Sequence, residues 1–241
     1  MRIRITMLVI LVVLAFSTAM SQTTAEDFYK LAVENSTQQN LDLALEYFNR
    51  TIELDPKFVK AYFMRGHILA NRRDYVRAVA DFTKAIELEP KKWAWYSERG
   101  LTRLYARDNE GAITDFQKII ELNGDKRWAY HFIGRAYEDT AWNFITNGDI
   151  ELGKAARSNA ISSFTMAIAV DPKDAESYRY RSIAHSRNDN DQSALADINK
   201  AIDLKPAFVD YYRLRIDIYR KTGKKELAEA DEKRIAELAS R

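Results

Sequence analysis

The chain contains no cysteine among its 241 residues, which excludes disulfide bonds, thiolate nucleophiles and zinc sites with cysteine ligands. Its three histidines, His67, His131 and His185, do not have the spacing of a metal-binding motif such as HExxH. With only 8 glycines, the chain has no glycine-rich loop of the kind that holds phosphate. These absences predict a protein that is not an enzyme and that carries no metal or cofactor.

The first 21 residues have the composition of a secretory signal peptide. Two arginines are followed by an apolar run, and the small residues Ala19 and Ser21 are spaced as at a cleavage site. We expect cleavage after Ser21, with Ala19 as the alternative, and export to the periplasm or to the outside of the cell. The competing interpretation is an uncleaved anchor, but the apolar stretch is shorter than the roughly 20 residues that span a bilayer.

Loss of this segment changes the charge of the chain. Removing Arg2 and Arg4 from the 37 basic residues leaves 35, which equals the number of acidic residues. A net charge of zero gives no general electrostatic attraction to nucleic acid or to an anionic membrane. We therefore expect neither partner for the processed chain.

The four prolines mark an internal repeat. They follow one another at intervals of 34, 82 and 34 residues, and 82 equals two periods of 34 plus 14. A fixed period of this size is typical of a solenoid built from stacked helix pairs. The chain after the signal peptide, 22–241, then divides into six units: 25–58, 59–92, 93–126, 127–174, 175–208 and 209–241.

Each unit has the pattern of an amphipathic helix, a short turn and a second amphipathic helix. The second unit shows the recurring residues best: Tyr62, Gly66, Ala78, Phe82, Ala85 and Pro90. In this pattern the chain resembles the tetratricopeptide-repeat (TPR) family over residues 25–241. The resemblance implies an all-α fold, a right-handed superhelix of six helix-turn-helix repeats. It also implies that the first helix of each repeat lines a concave groove that binds a protein segment.

Two repeat positions vary together. Position 7 is arginine in units two, three, five and six, and position 23 is aspartate in the same four units. Units one and four lack both residues, having Leu31 with Tyr47 and Ile133 with Ser163. Either the arginine and the aspartate form a salt bridge between the two helices of a unit, or the repeats share a common ancestor. We expect such a pair to be partly exposed and to contribute about 0–1 kcal/mol.

The fourth unit is 14 residues longer than the others. Its turn, Asn147-Gly148-Asp149, predicts that each helix gains seven residues, which is close to two helical turns and keeps the packed face in line. The insertion is then a longer helical hairpin that projects from the solenoid and that Phe144 and Leu152 close. Trp142 either faces the groove, where an aromatic residue is a favoured anchor, or packs on the next helix pair.

Carried over from the TPR family, the groove positions form an aromatic end and an arginine-rich end. We expect Arg179, Arg187, Arg213 and Arg220 to form a ridge that binds an acidic or carboxylate-terminated segment, because arginine can hold a carboxylate with two hydrogen bonds. The alternative is that these arginines pair with nearby acidic residues such as Asp210 and Asp217. The predicted groove residues are Tyr29, Phe63, His67, Leu101, Tyr105, Trp128, Arg135, Trp142, Arg179, Arg187, Arg213 and Arg220.

Two functions remain open at this point. The first is an exported scaffold or adaptor that binds a segment of another protein in the concave groove. The second is a structural homo-oligomer that assembles through the hairpin of the fourth unit or through an open end of the solenoid. The last helix carries the polar Glu232 where the repeat pattern has phenylalanine, which weakens assembly through the C-terminal end.

Overall fold

The computed structural model describes residues 23–240, so the predicted signal peptide lies outside the described residues. Within these residues twelve α-helices and no strands are present. The helices are α1 Ala25–Thr37, α2 Leu41–Leu54, α3 Val59–Asn71, α4 Tyr75–Leu88, α5 Trp93–Tyr105, α6 Asn109–Glu121, α7 Lys126–Thr146, α8 Ile150–Val170, α9 Ala175–Arg187, α10 Asp191–Leu204, α11 Val209–Lys221 and α12 Lys225–Ala239.

Every helix packs against its neighbours in the chain. The two helices of a unit contact each other, and the second helix of one unit contacts the first helix of the next. This continuous stack of six antiparallel pairs confirms the predicted all-α solenoid.

Glycine and phenylalanine bring the two helices of a unit together. A Cβ atom added to Gly66 would lie 3.0 Å from Phe82, and one added to Gly134 would lie 2.6 Å from Phe164. A Cβ atom at position 134 would force Phe164 to shift, and one at position 66 would be tighter than most Cβ contacts, so glycine favours the close approach of the helices. Phe82 and Phe164 are fully buried, so these aromatic residues form the core of their units.

The turn within each unit requires a residue with a positive φ angle. Gly148 and Gly223 occupy this position in units four and six, with φ angles of 93° and 75°. The other units place Gln39, Arg73, Arg107 and Asp189 there, with φ angles of 57–67°. A side chain in this left-handed region strains the backbone, so these four turns store a small unfavourable energy.

The paired arginine and aspartate residues form salt bridges in all four units, as one of the two interpretations predicted. The distances are 2.6–2.7 Å for Arg65–Asp81, Arg99–Asp115, Arg181–Asp197 and Arg215–Asp231. Each arginine donates through both Nε and Nη2 to its aspartate. The geometry is therefore the two-pronged one that suits a guanidinium and a carboxylate.

Each of these arginines also reaches the preceding unit. Its Nη1 atom donates to an asparagine or threonine side chain on the second helix of that unit at 2.7–3.0 Å. We call this three-helix contact the arginine bridge. The acceptors, in chain order, are Asn49, Thr83, Thr165 and Asn199.

The bridges are more buried than expected. The aspartate side chains expose only 1–8% of their surface and the arginines 13–20%. Water cannot replace the partner of such an aspartate, so loss of one member costs far more than loss of an exposed pair. The expectation of a partly exposed pair is therefore wrong for the aspartates.

The fourth unit has the predicted long hairpin. Both α7 and α8 contain 21 residues, and Gly148 forms the turn between them. Ala141 and Gly153 are buried where the two long helices meet. Leu152 does not close the hairpin, because 54% of it is exposed. Ile145 covers Gly153 instead, since the helical phase directs Leu152 outward.

A buried ionic group ties the hairpin to the fifth unit. Glu138 on α7 accepts a hydrogen bond from Arg157 on α8 at 3.2 Å and another from Arg187 on α9 at 2.9 Å. Arg157 also donates to the backbone carbonyl of Arg187 at 2.8 Å, which caps the end of α9. Glu138 and Arg157 are buried, so the three residues form a second kind of link between units.

Candidate binding surface on the first helices

The predicted aromatic end of the groove is partly built into the core. The ring centroid of Tyr29 lies 4.9 Å from that of Phe58, and that of Phe63 lies 4.4 Å from that of Trp95. Leu101 is half-buried in the same cluster as Phe63. These side chains pack within a unit or between successive units, and only part of their surface is open to a partner.

His67 and Tyr105 present more of their surface. The His67 ring stands edge-on to Phe63 at 4.6 Å, and its Nε2 atom lies 3.5 Å from a carboxylate oxygen of Glu98. Tyr105 is 64% exposed and stacks loosely on Tyr75 at 6.5 Å. An exposed tyrosine has an apolar ring and a polar tip, which suits contact with a partner.

The four arginines of the predicted ridge each have a carboxylate partner. The nitrogen–oxygen distances are 2.8 Å for Arg179–Glu176, 2.9 Å for Arg187–Glu138, 2.7 Å for Arg213–Asp210 and 2.6 Å for Arg220–Glu232. This agrees with the alternative interpretation that the arginines pair with nearby acidic residues. Asp210 is one of the two partners expected, whereas Glu232 takes the place of Asp217 beside Arg220.

Arg135 differs from these four arginines. Its guanidinium carbon lies 5.1 Å from the ring centroid of Phe132 and 5.7 Å from that of Tyr180, and it forms no ion pair within residues 23–240. Arg179 lies against the same Tyr180 ring at 4.2 Å. Two guanidinium groups, of which one has no carboxylate, thus flank one aromatic ring between α7 and α9.

Trp128 extends this aromatic surface. Its ring lies 4.4 Å from Phe132 and 5.4 Å from Phe116. It is half-buried, so the open face of the indole continues the surface that starts at Arg135. We name the five residues Trp128, Phe132, Arg135, Arg179 and Tyr180 the α7–α9 surface.

His131 supports the α7–α9 surface from beneath. Its ring contacts Phe132, Phe164 and Tyr180, and its Nδ1 atom lies 3.1 Å from the Ser177 hydroxyl. Because Ser177 donates its single hydrogen to Asp174, Nδ1 of His131 must be the donor in this contact. Burial lowers the pKa of His131 to about 4, so the ring is neutral at pH 7.

Glu176 holds Arg179 in position. Burial acts to raise the pKa of Glu176, but hydrogen bonds from Arg179 and Tyr211 lower it below its ordinary value. The Tyr211 hydroxyl donates at 2.6 Å, and its pKa is raised by burial and by this carboxylate. Glu176 therefore stays ionised and orients Arg179 toward Tyr180.

Trp142 lies apart from the α7–α9 surface on the long hairpin. It is 57% exposed, so it is not buried against the next helix pair. Whether it contacts a partner stays a prediction.

Two residues of the α7–α9 surface, Phe132 and Tyr180, are not among the groove residues predicted from the sequence. Both occupy repeat position 6, where the other units have Lys30, Met64, Glu98 and Leu214. Aromatic residues at this position in two consecutive units were a detectable signal. The family pattern does not include position 6 among the groove positions, so the resemblance gave no reason to select them.

Neither a metal cluster nor a membrane span is found within residues 23–240. No group of three or more histidine or acidic side chains is arranged to bind a metal ion. No described helix combines the length and apolarity that a membrane crossing requires.

Two adjacent segments match sequence families described as tetratricopeptide repeat, residues 25–58 and residues 59–92. No curated protein sequence matches the chain significantly.

Solved structures share the fold at low sequence identity. A structure of MamA protein has a TM-score of 0.66, 17% identity and coverage of 78% of this chain and 96% of its own. YrrB, described as a TPR protein with an unusual peptide-binding site, has a TM-score of 0.63, 21% identity and coverage of 83% and 97%. PilW, described as a type IV pilus biogenesis factor, has a TM-score of 0.61, 15% identity and coverage of 88% and 91%.

The helix pairs, the repeated glycine and phenylalanine contacts and these matches define the class of protein. Residues 25–92 match the tetratricopeptide-repeat family, and the described residues as a whole have the all-α solenoid fold of the solved TPR structures.

Proposed function

We propose that this protein is a non-catalytic adaptor that binds a segment of another protein on the α7–α9 surface. The segment carries a carboxylate, either an acidic side chain or a free C-terminus. The single observation that carries this proposal is Arg135, a half-buried guanidinium that rests on Phe132 and Tyr180 without a carboxylate partner among the described residues.

The arrangement favours recognition of a planar anion. The two aromatic faces hold the Arg135 guanidinium in position, so little side-chain freedom is lost when a carboxylate binds. A hydrogen bond to a charged group contributes about 1.5–3 kcal/mol, and arginine can form two with one carboxylate. Trp128 beside it offers an apolar surface for the neighbouring residue of the segment.

The cellular location belongs to the same proposal. The first 21 residues have the pattern of a signal peptide, so the adaptor would act in the periplasm or outside the cell. The TPR fold is compatible with binding a peptide, as the description of YrrB illustrates for that protein.

Selection of peptides from a random library on the purified protein tests the adaptor function. We expect the selected peptides to contain acidic residues or to require a free C-terminus, with C-terminally amidated peptides as the comparison. Arg135→Gln should weaken binding about tenfold or more, since it removes the charged donor. Arg213→Gln is the matched control, because that exposed arginine already has Asp210 as a partner. Selected peptides without carboxylates, or equal binding by both variants, would contradict the proposal.

Self-association is a second candidate function. The hairpin exposes three large apolar side chains, Trp142, Ile150 and Leu152, each between 46% and 57%. Light scattering over a range of protein concentrations distinguishes the two functions. A monomer at every concentration supports the adaptor, whereas an oligomer that Trp142→Ser disperses supports assembly through the hairpin.

A further inference from the structure

The fourth unit contains a cleft at the place where its neighbours have the arginine bridge. The cleft has a volume of about 490 Å³ and lies between α6, α7 and α8. Its lining includes Ile133 and Ser163, the residues at the arginine and aspartate positions of the other units. The two substitutions therefore leave an open space where four other units hold a guanidinium.

The remaining parts of the bridge are still present. Tyr130 corresponds to Tyr62, Tyr96, Tyr178 and Tyr212, each of which has the bridge arginine 5.5–5.7 Å from its ring centroid. Gln117 occupies the position of the asparagine or threonine that accepts from Nη1 in those units. The cleft thus keeps the aromatic ring and an amide acceptor and lacks the cation.

The fourth unit lacks the aspartate as well as the arginine, which is consistent with a cleft that is stable both with and without a bound cation. A buried carboxylate without its arginine would be strongly destabilising, whereas Ser163 is neutral and donates to a backbone carbonyl at 2.8 Å. The negative charge sits at the rim instead, on the exposed Glu121. Glu121 is the one charged side chain among the described residues that line the cleft, and it shares its carboxylate with Lys118 at 2.7 Å.

The cleft is separate from the α7–α9 surface. Tyr130, Ile133 and Tyr137 share one face of α7, because residues at i, i+3 and i+7 lie close together around a helix. Trp128 and Arg135 lie about half a helical turn away from that face by the same spacing. A ligand in the cleft and a segment on the α7–α9 surface can therefore bind at the same time.

We propose that this cleft binds an arginine side chain of a partner protein, which takes the place that an internal arginine occupies in four other units. The guanidinium would lie between the rings of Tyr130 and Tyr137, form an ion pair with the Glu121 carboxylate and donate a hydrogen bond to the side-chain oxygen of Gln117. Charge, shape and the internal precedent all favour a guanidinium over an acidic or apolar side chain.

Two short peptides test the proposal directly, acetyl-Gly-Arg-Gly-amide and the same peptide with citrulline, a neutral side chain of nearly the same shape. Met166 lines the cleft, so its methyl group reports on binding in an NMR spectrum of the purified protein, and Met64 serves as the internal reference. We expect the arginine peptide to shift the Met166 signal to saturation. The citrulline peptide should bind about tenfold or more weakly, because it lacks the charge.

Three variants distinguish specific binding of the arginine peptide in the cleft from general electrostatic attraction to the protein surface. Ile133→Arg combined with Ser163→Asp should rebuild the bridge, fill the cleft and abolish binding while helicity is kept. Glu121→Gln should weaken binding about threefold to fivefold. Glu87→Gln is the matched control, since Glu87 forms the same kind of exposed pair with Lys84 in the second unit. An unshifted Met166 signal, equal binding of citrulline, or binding by the filled variant would overturn the proposal.

Discussion

The four units with an arginine bridge (two, three, five and six) and the fourth unit use different polar contacts to join neighbouring helix pairs. In the bridged units a single arginine contacts three helices, and its aspartate is almost fully buried. In the fourth unit that position is apolar, and Glu138, Arg157 and Arg187 join the long hairpin to the next unit instead. Glycine packs on phenylalanine in the second and third units, which have the bridge, and also in the fourth, which lacks it.

The difference shows which contacts define the fold and which vary with local function. A TPR array needs close helix packing everywhere, because each pair alone leaves an apolar face uncovered. It does not need the same polar link at every interface. Of the two units without the bridge, the fourth has the open cleft, the exposed Trp142 and an Arg135 that has no carboxylate partner among the described residues.

Breaking one arginine bridge should produce the largest effect. Asp115 exposes 1% of its side chain and accepts hydrogen bonds from both Arg99 and Arg103. Asp115→Ala leaves two partly buried guanidinium groups without their carboxylate, so we expect a loss of about 3–5 kcal/mol in the free energy of unfolding. Denaturant unfolding followed by circular dichroism measures it.

The control for this variant is Asp210→Ala, which breaks an exposed pair with Arg213. It should change the free energy of unfolding by roughly 1 kcal/mol or less. Similar unfolding midpoints for the two variants would mean that the arginine bridge does not stabilise the interface between units.

Overpacking should affect both kinds of unit alike. Gly66→Leu in the second unit and Gly134→Leu in the fourth force a large side chain against Phe82 or Phe164. Ala78→Leu overpacks the core of the second unit from α4, where Ala78 is fully buried. Each should cost about 1–3 kcal/mol. The melting temperature is the measurement, and an unchanged value for any of the three would show that the repeat register is wrong there.

Acid should weaken the fourth unit through His131. The folded protein holds this histidine at a pKa of about 4 because of burial, whereas the unfolded chain has the ordinary value of 6.5. The unfolded state therefore binds more protons between these values, and stability is complete above pH 6.5 and falls as the pH drops toward 4. Over that range the loss should be about 3 kcal/mol.

The variant His131→Gln isolates this contribution. It lacks the titrating ring, so its free energy of unfolding should depend less on pH between 6.5 and 4 than that of the unmodified protein. The remaining dependence reports on the nearby Asp174 and Glu176, which face His131 together with Arg127 and Arg135. Parallel pH profiles for the two proteins would show that His131 is not held neutral.

A substitution in the turn within a unit should have the smallest effect on the free energy of unfolding, and it should stabilise the protein. Arg73 has a φ angle of 63° at the position where the fourth unit has Gly148. Arg73→Gly removes the side-chain strain at the cost of a more flexible unfolded chain, so we expect a gain of about 0.5–1 kcal/mol. Arg73→Ala keeps the strained angle and should give no gain. Equal melting temperatures for these two variants would contradict this explanation.

Much of the fold could be predicted because the repeat specifies helix faces. The proline spacing gave the period, and the repeated small and aromatic residues gave the register of six helix pairs. The insertion of seven residues in each helix of the fourth unit preserved the packed face, which explains why Ala141 and Gly153 are buried between the two long helices.

The binding surface was less predictable, because helical spacing shows which face of a helix a residue occupies but not which residues it contacts. Helical spacing placed Arg187 and Arg220 on the first helices but could not show that Glu138 and Glu232 neutralise them. The sequence pattern did not show that Ile145, and not Leu152, covers Gly153 at the hairpin. The hydrogen bond from each bridge arginine to an asparagine or threonine of the preceding unit was also not predicted, because only the arginine and aspartate positions vary together in the sequence.

A charge exchange at Arg135 tests the central claim of a carboxylate-binding adaptor most directly. The affinity of a selected acidic peptide is measured by calorimetry for the unmodified protein and for Arg135→Glu, and again with the peptide carboxylate replaced by lysine. The account predicts that Arg135→Glu abolishes binding of the acidic peptide and that the lysine peptide restores it to this variant alone. Unchanged binding of the acidic peptide to Arg135→Glu would contradict the account.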